Sequence, residues 1–118
     1  MKRILFADDN GHIREYCKRA FEAEGYCIVL ARDGDEAVRL AMTESFDLII
    51  LDLSMPKVGG LEAAQRIKTI CPSLPIMFFT AHDEDCLPER RREIAVACVE
   101  KTDDLTGLKQ MMAKVLTV

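Results

Sequence analysis

The stretch FDLIILDLSMP, Phe46 to Pro56, sets an unbroken aliphatic run, Leu48 to Leu51, directly against a carboxylate, Asp52. Consecutive apolar residues without polar alternation read as a strand buried on both faces, the pattern of a parallel sheet. A carboxylate at the edge of such a core is costly unless it is paired, metal-bound or chemically used. What the rest of the chain sends to the same place decides between these.

Working outward, the same continuous pattern recurs at Arg3 to Ala7 (RILFA), Cys27 to Ala31 (CIVLA) and Ile76 to Phe79 (IMFF), with a weaker run at Val96 to Val99 (VACV). Helix-period segments lie between the runs. Ile13, Tyr16, Cys17, Ala20 and Phe21 keep three- and four-residue spacing, and Gly25 can stop that helix. Asp33-Gly34-Asp35 opens a second helix with Ala37, Leu40 and Ala41. Gly59-Gly60 precedes a third, carrying Ala63, Ala64, Ile67, Ile70 and Cys71 and closed before Pro72. The last helix shows Leu105, Leu108, Met112, Val115 and Leu116 on one face. Alternating strands and helices favour an open parallel sheet with helices on both faces, because parallel crossovers are almost always right-handed. Such α/β sheets bind ligands beyond the carboxyl ends of their strands.

Those ends carry chemistry. Asp8 and Asp9 follow the first run, Asp52 the third, Thr80 and small Ala81 the fourth, and Lys101 the fifth. Three close carboxylates repel one another unless protons or a cation intervene, and Lys101 supplies only one positive charge. Mg²⁺ suits the remainder, since it takes one or two carboxylates, keeps waters and accepts phosphate oxygens; Mn²⁺ is the alternative. Carboxylates serve as nucleophiles in phosphoryl transfer, forming aspartyl phosphate, and that reaction needs mostly positioning and charge neutralisation. Singly, each residue has a plainer reading. Asp8 and Asp9 could cap the first helix, Asp52 a turn; Thr80 could satisfy backbone, and Lys101 could be a surface lysine.

Bulk properties narrow the classes. The 118 residues make one domain, 1–118, with 49% hydrophobic and 31% charged residues, normal for a soluble globular protein. The net charge of −4 argues against a nucleic-acid surface, and the run Arg90 to Arg92 is flanked by Glu89 and Glu93, as on a solvated helix face. The cysteines, Cys17, Cys27, Cys71, Cys86 and Cys98, form no CxxC and read as small buried hydrophobes in a reducing compartment. His12 and His82 lie far apart, which disfavours zinc, and the methionines read as core filler or helix surface. MKRILFADDN is neither a signal peptide nor a membrane span, so a cytoplasmic location without membrane contact is expected.

Asp8-Asp9, the segment DLSMPKVGG from Asp52 to Gly60, Thr80-Ala81 and Lys101, in this order and at these separations, resemble the receiver domain of two-component response regulators. That is the chemotaxis-type, flavodoxin-like module, and the resemblance covers essentially the whole chain. It implies a doubly wound five-stranded parallel sheet of order 2-1-3-4-5 with five helices. By resemblance Asp52 is the phosphoacceptor, Asp9 a direct Mg²⁺ ligand, Asp8 a ligand mainly through water, and the backbone carbonyl of Ser54 the last protein ligand. Thr80 would be the switch hydroxyl and Lys101 the phosphoryl partner. Pro56 and Gly60 would shape the loop, Gly60 where a side chain would crowd the turn. Ser54 and His82 occupy positions where family members tune phosphate lifetime. The implied partners are a sensor histidine kinase or histidine phosphotransfer protein and a downstream protein target. The domain would be a monomer or a weak phosphorylation-dependent dimer, with no enzymatic activity beyond its own phosphotransfer and autodephosphorylation.

The chain departs from the family pattern at three places. Cys98 stands three residues before the lysine, where an aromatic side chain usually reports phosphorylation. Thr102 follows Lys101 where proline in a cis bond is usual; a cis bond before a non-proline costs roughly 2.5–4 kcal/mol, so a trans bond is expected. The fourth helix is expected to be short, starting near Pro88 with Asp85 as its cap, and the segment Ile94 to Ala97 lacks the usual glycine. Activation chemistry thus reads as intact and output coupling as rewritten. Three other classes compete. A receiver-like interaction module would leave the chemistry unused. A haloacid dehalogenase-type phosphatase resembles a pattern with an acid where Ser54 stands. A flavodoxin-like cofactor binder would need a phosphate loop unlike ADDNG, whose acids repel phosphate.

Overall fold

The computed structural model describes residues 1–55, 57–81, 94–101 and 104–117. Five strands, β1 (Arg3–Ala7), β2 (Cys27–Ala31), β3 (Leu48–Leu51), β4 (Ile76–Thr80) and β5 (Ala97–Glu100), form one sheet of order β2-β1-β3-β4-β5. Every pairing is parallel. Four helices are described: α1 (Gly11–Ala23), α2 (Gly34–Thr43), α3 (Gly60–Ile70) and α4 (Thr106–Leu116). The helix expected near Pro88 lies outside the described residues. So do Pro56, His82, Asp85, Cys86, Glu89 to Glu93 and Thr102, hence also the peptide before Thr102.

The unbroken runs fall where a parallel sheet needs them. All of β3 and β4 is buried, and so is β1 after Arg3, because each has a neighbour on both edges and a helix layer on both faces. On one face Leu5, Ile49, Leu51, Ile76 and Phe78 meet Ala37, Val38 and Ala41 of α2 and Ala63, Ala64 and Ile67 of α3. On the other, Ile4, Phe6, Leu48, Ile50, Met77 and Phe79 meet Cys17 and Phe21 of α1 and Leu108 and Met112 of α4. Phe6 sits between Phe21 and Phe79, with ring centroids 6.0 Å from each. The edge strands are less covered, and β5 starts one residue later than the apolar run suggests, leaving Val96 56% exposed.

Local chemistry explains the helix ends. Asn10 caps α1, its side chain accepting from the N–H groups of His12 and Ile13. Gly25, at φ 95°, takes the left-handed conformation that lets the chain leave α1 for β2. Asp33 caps α2 by accepting from the Glu36 N–H. Gly34, the next residue, is buried, and a Cβ there would collide with the backbone carbonyl of Val58 in the loop after β3. Gly34→Ala is therefore expected to cost about 1–3 kcal/mol as an overpacking change, read as a lower urea midpoint with an unchanged slope. Among the described residues no helix is long and apolar enough to cross a membrane.

Candidate functional site

The strand register sets the site. Ala7 of β1 lies beside Leu51 of β3, so the residues that follow, Asp8 and Asp52, emerge next to each other at the carboxyl edge. The Asp52 N–H donates to the Ala7 carbonyl and the Asp8 N–H to the Ala31 carbonyl, which extends the sheet to both acids. Thr80 ends β4 and is buried, with its carbonyl accepting from the Lys101 N–H at 2.6 Å. The lysine is thereby fixed to the end of the neighbouring strand.

Asp8, Asp9 and Asp52 meet: one carboxylate oxygen from each lies within 4.8 Å of the others. Asp8 is fully buried and Asp52 nearly so, whereas Asp9 faces solvent. Lys101 spans the buried pair, its Nζ 2.7 Å from Asp8 Oδ2 and 3.2 Å from Asp52 Oδ2. The short Lys101 contact is the polar partner of that buried Asp8 oxygen. The ammonium also lies 5.5 Å from the Phe79 ring centroid, an added favourable contact for a partly desolvated cation.

The electrostatics follow from burial. Desolvation pushes the Asp52 carboxyl above its ordinary value, the charge of Asp8 pushes it further, and Lys101 only partly offsets both. Burial by itself would pull the Lys101 ammonium down, but Asp8 and then Asp52 outweigh it, leaving its pKa raised. Three carboxylates against one ammonium leave a deficit of positive charge. A hard divalent cation with oxygen ligands fits that donor set.

Of the residues expected at the site, all but Pro56 and His82 lie among the described residues. The described structure brings together Asp8, Asp9, Asp52 and Lys101, with Thr80 at the same sheet edge. Ser54 has an exposed side chain, and its N–H donates to Asp52 Oδ1 at 3.1 Å, so Asp52 also closes a local turn. A Cβ at Gly60 would strike the backbone carbonyl of Asp52, which explains glycine at the start of α3. Lys57, in the same loop, adopts φ 65°, a conformation costly for a residue with a side chain. His12 is exposed on α1.

Two contributors escaped sequence reasoning. Asn10, rather than Asp8 or Asp9, caps α1, and its N–H also donates to Asp8 Oδ1 at 2.9 Å. Its one signal was an asparagine directly before the helix. Arg14 donates from Nη1 to the Asp8 carbonyl at 2.8 Å; a charged residue in a helix's first turn gives no such signal. The cysteines divide. Cys17 is buried beside the site, and burial, then the charge of Asp8, push its thiol up to about 12, which makes it inert. Cys17, Cys27 and Cys71 are free and only Cys17 is fully buried, while Cys98 is disulfide-bonded, which departs from the expectation of small buried hydrophobes in a reducing compartment. Cys98 is only half-buried on an edge strand, where sulfur chemistry is less hindered than in the core.

Residues 4–113 match the response regulator receiver domain. The response regulator MprA of Mycolicibacterium vanbaalenii is 38% identical over 81 residues, covering 69% of this chain and 35% of that protein. The chain thus spans about a third of the length of the curated relatives it matches. The response regulator TrrA of Thermotoga maritima, solved with Mg²⁺ and BeF, superposes with a TM-score of 0.93 at 35% identity over 98% of this chain and 100% of that chain. TrrA in complex with the histidine kinase ThkA gives a TM-score of 0.89 at 36% identity, covering 98% of this chain and 99% of that one.

Proposed function

We propose that this chain, which belongs to the response regulator receiver domain family, acts as a phosphoacceptor switch over residues 1–118, with Asp52 as the acceptor. The observation that carries the reading is Asp52 at the end of a buried strand, beside two further acids and within ion-pair reach of Lys101. In the proposed reaction an Asp52 carboxylate oxygen attacks phosphorus of a phosphohistidine. The P–O bond forms, the P–N bond breaks, and the imidazole leaves with its electron pair and takes up a proton. Asp9 directly, Asp8 mainly through water, Asp52 and the Ser54 carbonyl would hold Mg²⁺. When bound, the ion supplies charge neutralisation at the phosphoryl oxygens; Mn²⁺ has the same oxygen preference.

The chain's own residues do the rest. Asp52 is held on a rigid strand, pre-aimed for attack. Lys101 is anchored through its backbone to Thr80 and would pass from the Asp8–Asp52 pair to a phosphoryl oxygen. The Thr80 hydroxyl would move to bond another. The modified carboxylate adds about −1.5 to −2 charge by analogy with hydroxyl phosphorylation, and the surface rearranges to admit a downstream protein. The phosphodonor would be a sensor histidine kinase or histidine phosphotransfer protein, as the TrrA–ThkA complex suggests by likeness. The protein would work in the cytoplasm, as a monomer or weak phosphorylation-dependent dimer. It would not contact nucleic acid through this domain.

Incubation with acetyl phosphate tests the core of this. Intact mass is expected to show one added phosphoryl group in Mg²⁺ and none in EDTA. An unmodified protein in Mg²⁺ would reject the reading.

A further inference from the structure

The turn joining β1 to α1 is gripped at several atoms of one residue. Asp8 Oδ1 accepts from the Asn10 N–H, and Asp8 Oδ2 faces the Lys101 ammonium. The Asp8 backbone carbonyl accepts from Arg14 Nη1 at 2.8 Å. That carbonyl belongs to the peptide linking Asp8 to Asp9. A trans peptide is planar, so holding its oxygen fixes the plane and the direction from one Cα to the next. Arg14 is half-buried, and its neighbour Gly11 leaves the guanidinium room: a Cβ there would lie 3.3 Å from Arg14 Nη2. The donor itself rides on the first turn of α1, whose start is fixed by the Asn10 cap.

We infer that Arg14 is a positioning residue for the divalent cation, setting the Asp8–Asp9 peptide so that successive carboxylates are presented to one pocket. The inference rests on the phosphoacceptor reading of that pocket. Successive side chains leaving a strand normally point to opposite faces. Bringing two into one site requires the backbone between them to be turned and held. A bond from a helix-borne guanidinium does this without spending any carboxylate oxygen.

Charge and positioning predict opposite signs, which makes the idea testable. Removing a cation beside an anionic pocket would, by Coulomb's law alone, tighten Mg²⁺ binding. Loss of a positioning contact weakens it. Supporting groups around metal ligands typically contribute about 10–100-fold in affinity.

The experiment is Mg²⁺ titration by calorimetry of the whole chain and its Arg14→Met and Arg14→Lys variants, with thermal melts of each in EDTA. Arg14→Met is expected to weaken Mg²⁺ by about 10-fold or more, with an EDTA melt matching the parent. Arg14→Lys, which keeps one donor, is expected to recover part of the loss. Saturating Mg²⁺ should return the Arg14→Met phosphorylation rate with acetyl phosphate to the parental value. Unchanged or tighter binding in Arg14→Met overturns the inference. So does a weakening matched by a lower EDTA melt, which marks general destabilisation. If the parent chain itself binds no Mg²⁺, it is the phosphoacceptor reading that fails.

Discussion

Asp52→Asn is expected to abolish phosphorylation by acetyl phosphate in Mg²⁺ while making the metal-free protein more stable. The first effect follows from removing the only proposed nucleophile, since an amide does not attack phosphorus. The second follows from electrostatics. Burial and Asp8 raise the Asp52 pKa in the folded state, so folding takes up a proton as pH falls toward the ordinary carboxylate value. Above the raised folded pKa the ionised carboxylate destabilises the fold, and acidification relieves that cost. Asparagine keeps the shape and the acceptor oxygen for the Ser54 N–H, but not the charge. Denaturant melts in EDTA at neutral pH should shift to higher midpoints, and the gap between the two proteins should narrow on acidification. Phosphorylation persisting in Asp52→Asn would move the acceptor elsewhere. An unchanged or lower midpoint would mean that Lys101 compensates Asp52 fully.

The second large effect is at Lys101. Lys101→Met would leave Asp8, at 0% exposure, and Asp52, at 4%, facing each other without a counter-charge. Removing one partner of a buried ion pair costs about 3–5 kcal/mol, more than forming the pair gains. Metal-free denaturation should show a loss of that size. Mg²⁺ should recover much of it, because a divalent cation replaces the missing ammonium. In the double variant Lys101→Met/Asp52→Asn one of the stranded charges is gone, so the two effects should be strongly non-additive. Phosphoryl transfer should stay slow in Lys101→Met even at saturating Mg²⁺, since the metal restores charge but not the phosphoryl partner. A loss below about 1 kcal/mol would mean that water screens the pair as it screens surface ion pairs.

Both predictions use residues that could be picked out from the sequence, and the reason is topological. Parallel strands buried on both faces are written as unbroken apolar runs, so Leu48 to Leu51 announces β3 and fixes Asp52 at its end. The same rule locates Asp8, Thr80 and Lys101. Edge strands carry a weaker mark: β5 is half-covered, runs on to exposed Glu100 and starts one residue later than its apolar run. Contacts that use backbone atoms of a distant segment leave no mark at all. Gly34 reads as a helix opener, yet what demands glycine is the carbonyl of Val58, far along the chain. Nothing in the sequence marks Arg14, whose guanidinium ends on the carbonyl of Asp8. Asn10 took the capping role that either aspartate could have filled, which leaves both carboxylates for the site.

The strand order has a consequence for how the chain is born. β1 is synthesised first but occupies an interior place, and its partner Leu48 opposite Ile4 is made only after α1, β2 and α2 have been laid down. Until then Ile4, Leu5 and Phe6 have one unsatisfied flank, since no hairpin can close it locally. A nascent chain therefore carries one flank of β1 unsheltered until β3 has been made, an interval in which chaperone contact is useful.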